Sequence, residues 1–104
     1  MVELHVEIIE YSEEVQPGLC TCRFTDAWGH AWTVVDKVPI FTTSHLDFDS
    51  HYPQPGSIRC QMIRKWQDAD EREIVTVDIS EPDCVEATTG ETRFDVLSSQ
   101  ISES

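Results

Sequence analysis

The densest set of groups able to do chemistry is His45-Leu46-Asp47-Phe48-Asp49-Ser50-His51, where two imidazoles and two carboxylates stand on alternate positions. Such groups are the usual ligands of a divalent ion, and a metal-bound water would make the site hydrolytic. Spacing limits this. Positions i and i+4 of a strand lie about 13 Å apart, whereas ligands approach an ion to about 2 to 2.5 Å. Extended, the segment would instead be an edge strand with one polar face, with Leu46 and Phe48 turned to the core. The calcium-loop pattern counted from Asp47 fails, because its glycine and glutamate positions hold Tyr52 and Ile58. His45, Asp47, Asp49 and His51 are therefore the ligand set of an alternative reading, a metal-binding, hydrolytic protein. No other cofactor is expected.

Cys20, Cys22, Cys60 and Cys84 could supply four thiolates to zinc, but a one-residue spacing inside a strand converges two sulfurs less well than a two-residue knuckle. Cysteine also packs as a small hydrophobe, and Cys20 and Cys22 share a phase with Phe24. Core packing as free thiols is the expectation. The nucleophile elbow, the glycine-rich phosphate loop and the paired-histidine zinc motif are all missing from the sequence. The aromatics point to binding instead. Trp28 falls at a hairpin tip, where burial is difficult, and Tyr52 in a proline-containing loop, and exposed tryptophan and tyrosine anchor protein interfaces.

The elements that must position these groups are strands. Val2, Leu4, Val6 and Ile8 alternate with Glu3, His5 and Glu7, the period of a half-buried strand, and the slip at Ile8-Ile9 predicts a bulge. Pro17-Gly18 marks a turn into a strand over Leu19 to Thr25, and Asp26-Ala27-Trp28-Gly29 a hairpin turn into Ala31 to Lys37. Lys37 to Gly56 reads as one long irregular loop, with a short edge strand around Leu46 to Ser50 and Ser44 placed to cap a single turn from His45. Ser57 to Gln67 alternates, with Ile58, Cys60, Met62, Arg64 and Trp66 in one phase, and returns through Asp68 to Glu71 into Arg72 to Ser80. Cys84 to Ala87 and Thr92 to Leu97 complete six or seven strands, and no apolar helical period interrupts them. The fold class is all-β, mainly antiparallel, a small barrel or sandwich. Residues 1–97 form a single β domain, and residues 98–104 a frayed, flexible C-terminal tail.

At 104 residues the chain supports one core, and 39% hydrophobic with 26% charged residues is ordinary globular composition. Glu3, Glu7 and Glu10 break up the place of a signal-peptide apolar segment, and no apolar run approaches the length of a membrane span, so a cytoplasmic protein is expected. The net charge is −13, spread over both halves, with two basic and nine acidic residues before position 51 and five and eleven after. Such a field repels nucleic acid and anionic membranes and draws basic proteins. The reading that follows is non-enzymatic: an acidic protein that recognises a basic protein partner, in the manner of small immunity-type inhibitors or accessory subunits. Its binding residues would be Trp28 and Tyr52, rimmed by Asp26, Asp47 and Asp49. Homo-oligomer formation through strand edges is a third option.

Overall fold

The computed structural model describes residues 1–13, 18–47 and 49–103. Pro17 of the expected turn, Phe48 of the expected core and Ser104 of the expected tail lie outside that set. The described residues form seven strands: β1 (Val2–Ser12), β2 (Leu19–Thr25), β3 (Ala31–Lys37), β4 (Gln54–Gln67), β5 (Glu73–Asp78), β6 (Arg93–Leu97) and β7 (Ile101–Glu103). All pairings are antiparallel in the order β3-β2-β1-β4-β5-β6, with β7 added to β1, and the sheet curls into a half-barrel. Among the described residues no helix is long and apolar enough to cross a membrane.

Alternation explains the core. Val2, Leu4, Val6 and Ile8 of β1 are buried, as are Cys20, Cys22 and Phe24 of β2, and they meet Ile58 and Cys60 of β4 and Val75 and Val77 of β5. The expected bulge in β1 is present, since pairing to β2 slips between Ile8 and Glu10 and leaves Ile9 as the extra residue. Strand β4 is the corner of the molecule. Its first half, Gln54 to Cys60, pairs with β1, and its second half, Gln61 to Gln67, pairs with β5. Gly56 lets β4 pass close to β1 and to Phe41, because a Cβ there would stand 2.9 Å from the Ile8 side chain and 3.2 Å from the Phe41 carbonyl oxygen.

Four local expectations change. The long connection contains one helical turn, α1 (Val38–Phe41), with a proline in its first turn where the missing N–H costs nothing; no turn starts at His45. Of the strand expected around Leu46 to Ser50, the described residues Leu46, Asp47, Asp49 and Ser50 are in none. Of Cys84 to Ala87 only Ala87 pairs, as a single bridge to Val34, because Cys84 has left-handed backbone (φ 58°) that no strand accepts. Residues 98–103 are not frayed: Ser98–Gln100 make a 3₁₀ turn and β7 pairs with Val2 to Leu4 of β1.

Candidate functional site

Two hairpin tips are built on one five-residue device. In Asp26 to His30, the Asp26 N–H donates to the His30 carbonyl (2.8 Å), the Gly29 N–H to the Asp26 carbonyl (3.2 Å), and the Trp28 and His30 N–H groups to Asp26 Oδ1 (2.9 and 3.0 Å). In Asp68 to Arg72 the same four bonds recur: Asp68 N–H to the Arg72 carbonyl (3.1 Å), Glu71 N–H to the Asp68 carbonyl (3.0 Å), and the Asp70 and Arg72 N–H groups to Asp68 Oδ1 (both 2.9 Å). Each device needs a left-handed residue in fourth place, Gly29 (φ 84°) in one and Glu71 (φ 63°) in the other.

The second carboxylate oxygen distinguishes them. Asp26 Oδ2 accepts the indole N–H of Trp32 at 2.9 Å, within the same hairpin. Burial pushes the Asp26 carboxyl up, but the bonds from Trp32, His30 and Trp28 outweigh it and hold the group below its ordinary range. Asp26 is 8% exposed, so it is a turn-builder and not the rim carboxylate expected of it. Asp68 Oδ2 instead accepts from Arg72 Nε at 2.8 Å, and Arg72 Nη1 donates onward to the Ala27 carbonyl of the other tip at 3.1 Å.

The tips thus meet, and an aromatic platform lies where they do. The Arg72 guanidinium stands 5.5 Å from the ring centre of Trp28, Trp28 is 6.2 Å from Trp66 at 41°, and the Arg64 guanidinium covers the far ring at 4.8 Å. The indoles are held from below. Trp66 Nε1 donates to Thr76 Oγ1 (3.2 Å), which donates to Asp95 Oδ1 (2.6 Å), while Asp95 Oδ2 makes a long contact with Trp28 Nε1 (3.4 Å) and the Asp95 carbonyl accepts the Ala27 N–H (2.9 Å). Trp28 stays 47% exposed, as expected of a tip residue.

Trp66 and Arg64 are absent from the sequence-derived site because β4 changes phase. Pairing to β5 slips between Met62 and Arg64, with Ile63 as the extra residue. Beyond it Arg64 and Trp66 share the outer face with Thr76, and Lys65 takes the inner phase of Val75. The signal was present: Met62-Ile63 is an adjacent apolar pair like Ile8-Ile9, which did announce its bulge.

The long loop sits at the other end of the β2–β3 hairpin and does not join this platform. From Cys20, whose thiol adjoins Tyr52, to the end of β2 is five residue steps of about 3.3 Å. Tyr52 is no exposed anchor, since its hydroxyl donates to the Asp47 carbonyl (2.8 Å) and its ring packs against the core. Asp47 turns its carboxylate inward on the loop, where Oδ1 accepts from the Asp49 N–H (2.9 Å) and the Ser50 hydroxyl (3.3 Å). His45 Nε2 is 3.8 Å from Asp47 Oδ2, and Gln54 donates to the His51 carbonyl (2.9 Å). Among the described residues no three His, Cys, Asp or Glu side chains come together closely enough to hold a metal ion, so His45, Asp47, Asp49 and His51 are not assembled as ligands. The same applies to the cysteines: Cys20, Cys22 and Cys60 are buried in the core and Cys84 is exposed, all as free thiols. Burial pushes the Cys60 thiol up to about 11 and that of Cys22 further.

A groove of about 570 Å³ crosses the outside of β1 and β4 over Glu3, His5, Phe41, Ser57 and Arg59. Its charges have partners, because Ser57 donates to Glu3 (3.3 Å) and Arg59 pairs with Asp83 (2.8 Å). The Trp28–Trp66 platform is the better candidate. No family model, curated protein or solved structure matches the chain.

Proposed function

We propose that this chain is a non-enzymatic binding protein that anchors a protein partner on the Trp28–Trp66 platform, while its −13 body steers partners of net positive charge toward it. One observation carries the reading: a tryptophan nearly half exposed, Trp28, is held between Arg72 and a second indole, Trp66, which Arg64 covers in turn. Rigid, surface-exposed tryptophan and arginine are the residues that dominate binding energy in protein interfaces, because little side-chain entropy remains to be lost on docking. The charge distribution fits this division of labour. Five of the seven basic residues, Arg59, Arg64, Lys65, Arg72 and Arg93, lie on the β4–β5–β6 side, so carboxylates dominate the remaining surface and supply the long-range field.

The test is capture from native lysate on C-terminally tagged protein, washed at low and then moderate salt, beside Trp28→Ala and Trp66→Ala variants of verified fold. The expected result is one stoichiometric basic partner on the wild type that is lost from both variants. An unchanged set on the variants, or only salt-labile basic proteins on all three, would remove the platform from the interface.

A further inference from the structure

The half-barrel covers most of its strand edges. Outside β3, Ala87 bridges to Val34 and the Thr88 N–H donates to the Thr33 carbonyl (2.8 Å). Outside β6, the Asp95 carbonyl accepts from Ala27, and Gln100 reaches the Thr25 carbonyl (2.8 Å). On β1, β7 covers Val2 to Leu4. The second half of β4 has no such cover. Its pairing to β1 ends at Cys60, and from Gln61 to Gln67 only the β5 side is paired among the described residues. Alternate N–H and C=O groups of those seven residues face outward without a backbone partner. Met62 (45% exposed) and Ile63 (38%) lie open along the same stretch.

We propose that this edge receives an extended segment of a protein partner as an added strand, one that carries a carboxylate beside Arg64 and an apolar side chain two residues away beside Trp66. Main-chain bonds supply the docking and the outer-face side chains supply the choice of segment. Charge sets the chemistry. Arg23, Arg59, Lys65, Arg72 and Arg93 each have a carboxylate ion-pair partner; of the other two basic residues Lys37 lies on β3, away from this edge, and Arg64 has only the Trp66 ring among the described residues. A carboxylate directly across a strand pair from a cation stabilises the pairing, and a like charge opposes it. That rule weighs against a second copy of this chain: two-fold antiparallel pairing centred on residue 64 sets Arg64 against Arg64, centred on residue 65 sets Lys65 against Lys65, and centred between them sets each against the other. Arg64 and Trp66, two positions apart on one face, read an acid and an apolar residue at the same spacing. A partner positive overall can still present one such carboxylate, because the body field acts at long range and the Arg64 pair only on contact. The edge shares Arg64 and Trp66 with the platform and differs from it in docking through the main chain of residues 61–67.

The experiment is amide hydrogen exchange by NMR on the full chain, titrated with the acetylated, amidated peptide Val-Thr-Glu-Val-Phe-Thr-Val and with its Lys-for-Glu counterpart. The expected result is exchange slowed about tenfold at alternate amides of residues 61–67. The Lys counterpart should bind about tenfold more weakly, and Arg64→Glu should invert that preference. The two readings fail separately: the platform is read in the lysate capture, where Trp28→Ala removes the partner, and the edge is read in the amides of residues 61–67 of the wild-type chain with peptide alone. Protection that is absent at millimolar peptide, or that maps to β3 or β7, would overturn the proposal. So would equal binding of the two peptides, or a dimer in sedimentation that protects the same amides.

Discussion

The two tips at Asp26 and Asp68 share a backbone and differ in what they do with one oxygen. At Asp26 the spare carboxylate oxygen takes Trp32 of its own hairpin, so the tip is closed on itself. At Asp68 it takes Arg72, whose other nitrogen reaches the Ala27 carbonyl opposite, so the tip is a coupling between two hairpins. A third turn shows what the backbone needs by itself. Ala87 to Glu91 repeats the two main-chain bonds (2.9 and 2.8 Å) around Gly90 with alanine in the first place. The aspartate is therefore not required to make the turn. It is what ties the turn to its surroundings.

The largest expected effect breaks the closed tip. Asp26→Ala leaves the Trp32 indole N–H and two turn amides without their acceptor, and should cost about 3 kcal/mol in urea unfolding. In Asp68→Ala two turn amides and Arg72 Nε likewise lose their acceptor, but the Asp70 amide is exposed and the Arg72 side chain is 40% exposed, so water replaces it and the cost should be clearly less; equal costs would mean that the two tips do not differ. Acid sharpens the same point. The Asp26 carboxyl, and that of Asp78 held down by the Ser80 hydroxyl and Arg93, sit below their unfolded range in the folded state. Their contribution is therefore complete above the unfolded pKa of about 3.9 and is lost as pH falls through the folded values. Unfolding free energy should drop steeply below that pH in the wild type, and less steeply in Asp26→Asn.

The fourth position gives the next effect. Glu71 bears a side chain at φ 63° where Gly29 bears none, so Glu71→Gly should stabilise by about 1 kcal/mol and Gly29→Ala destabilise by a similar amount. Thermal melts would check both, and no gain from Glu71→Gly would mean that the Glu71 side chain contributes more than its backbone costs. Smallest is the link itself. A double-mutant cycle of Arg72→Ala and Trp28→Ala should return a coupling of about 0.5 to 1 kcal/mol, and near zero would make the tips neighbours without communication.

The strands and the first tip were legible because they rest on nearest-neighbour physics: alternation in Val2 to Ile8 and Leu19 to Thr25, and an aspartate and a glycine at turn positions. The interior cysteines were legible for the same reason. The platform was only half legible. Trp28 follows from its turn, but Trp66 reaches the surface only through the Ile63 bulge, which depends on β4 leaving one partner for another. Strand β7 could not be read, since Ile101 alone carries no period and its place is set by β1 across the whole chain. The His45 to His51 segment misled in the opposite sense. Its composition is that of a ligand set, but Asp47 spends its oxygens on the turn that its own neighbours make.

The bulge at Ile63 also makes the gene unequally tolerant of small lesions. Side chains on a strand alternate with period two, but residue 63 is the one left over between the Met62–Val77 and Arg64–Thr76 pairs, so in-frame loss of its codon keeps every pair opposite its partner and leaves Arg64 and Trp66 on the outer face. The coding sequence would lose three bases and the protein would keep its surface, whereas loss of one codon inside β3, which has no spare residue opposite β2, turns the side chains beyond it to the other face. A single-codon deletion within residues 42–45, where the chain runs outside any helix or strand, changes no strand phase and should be nearly silent.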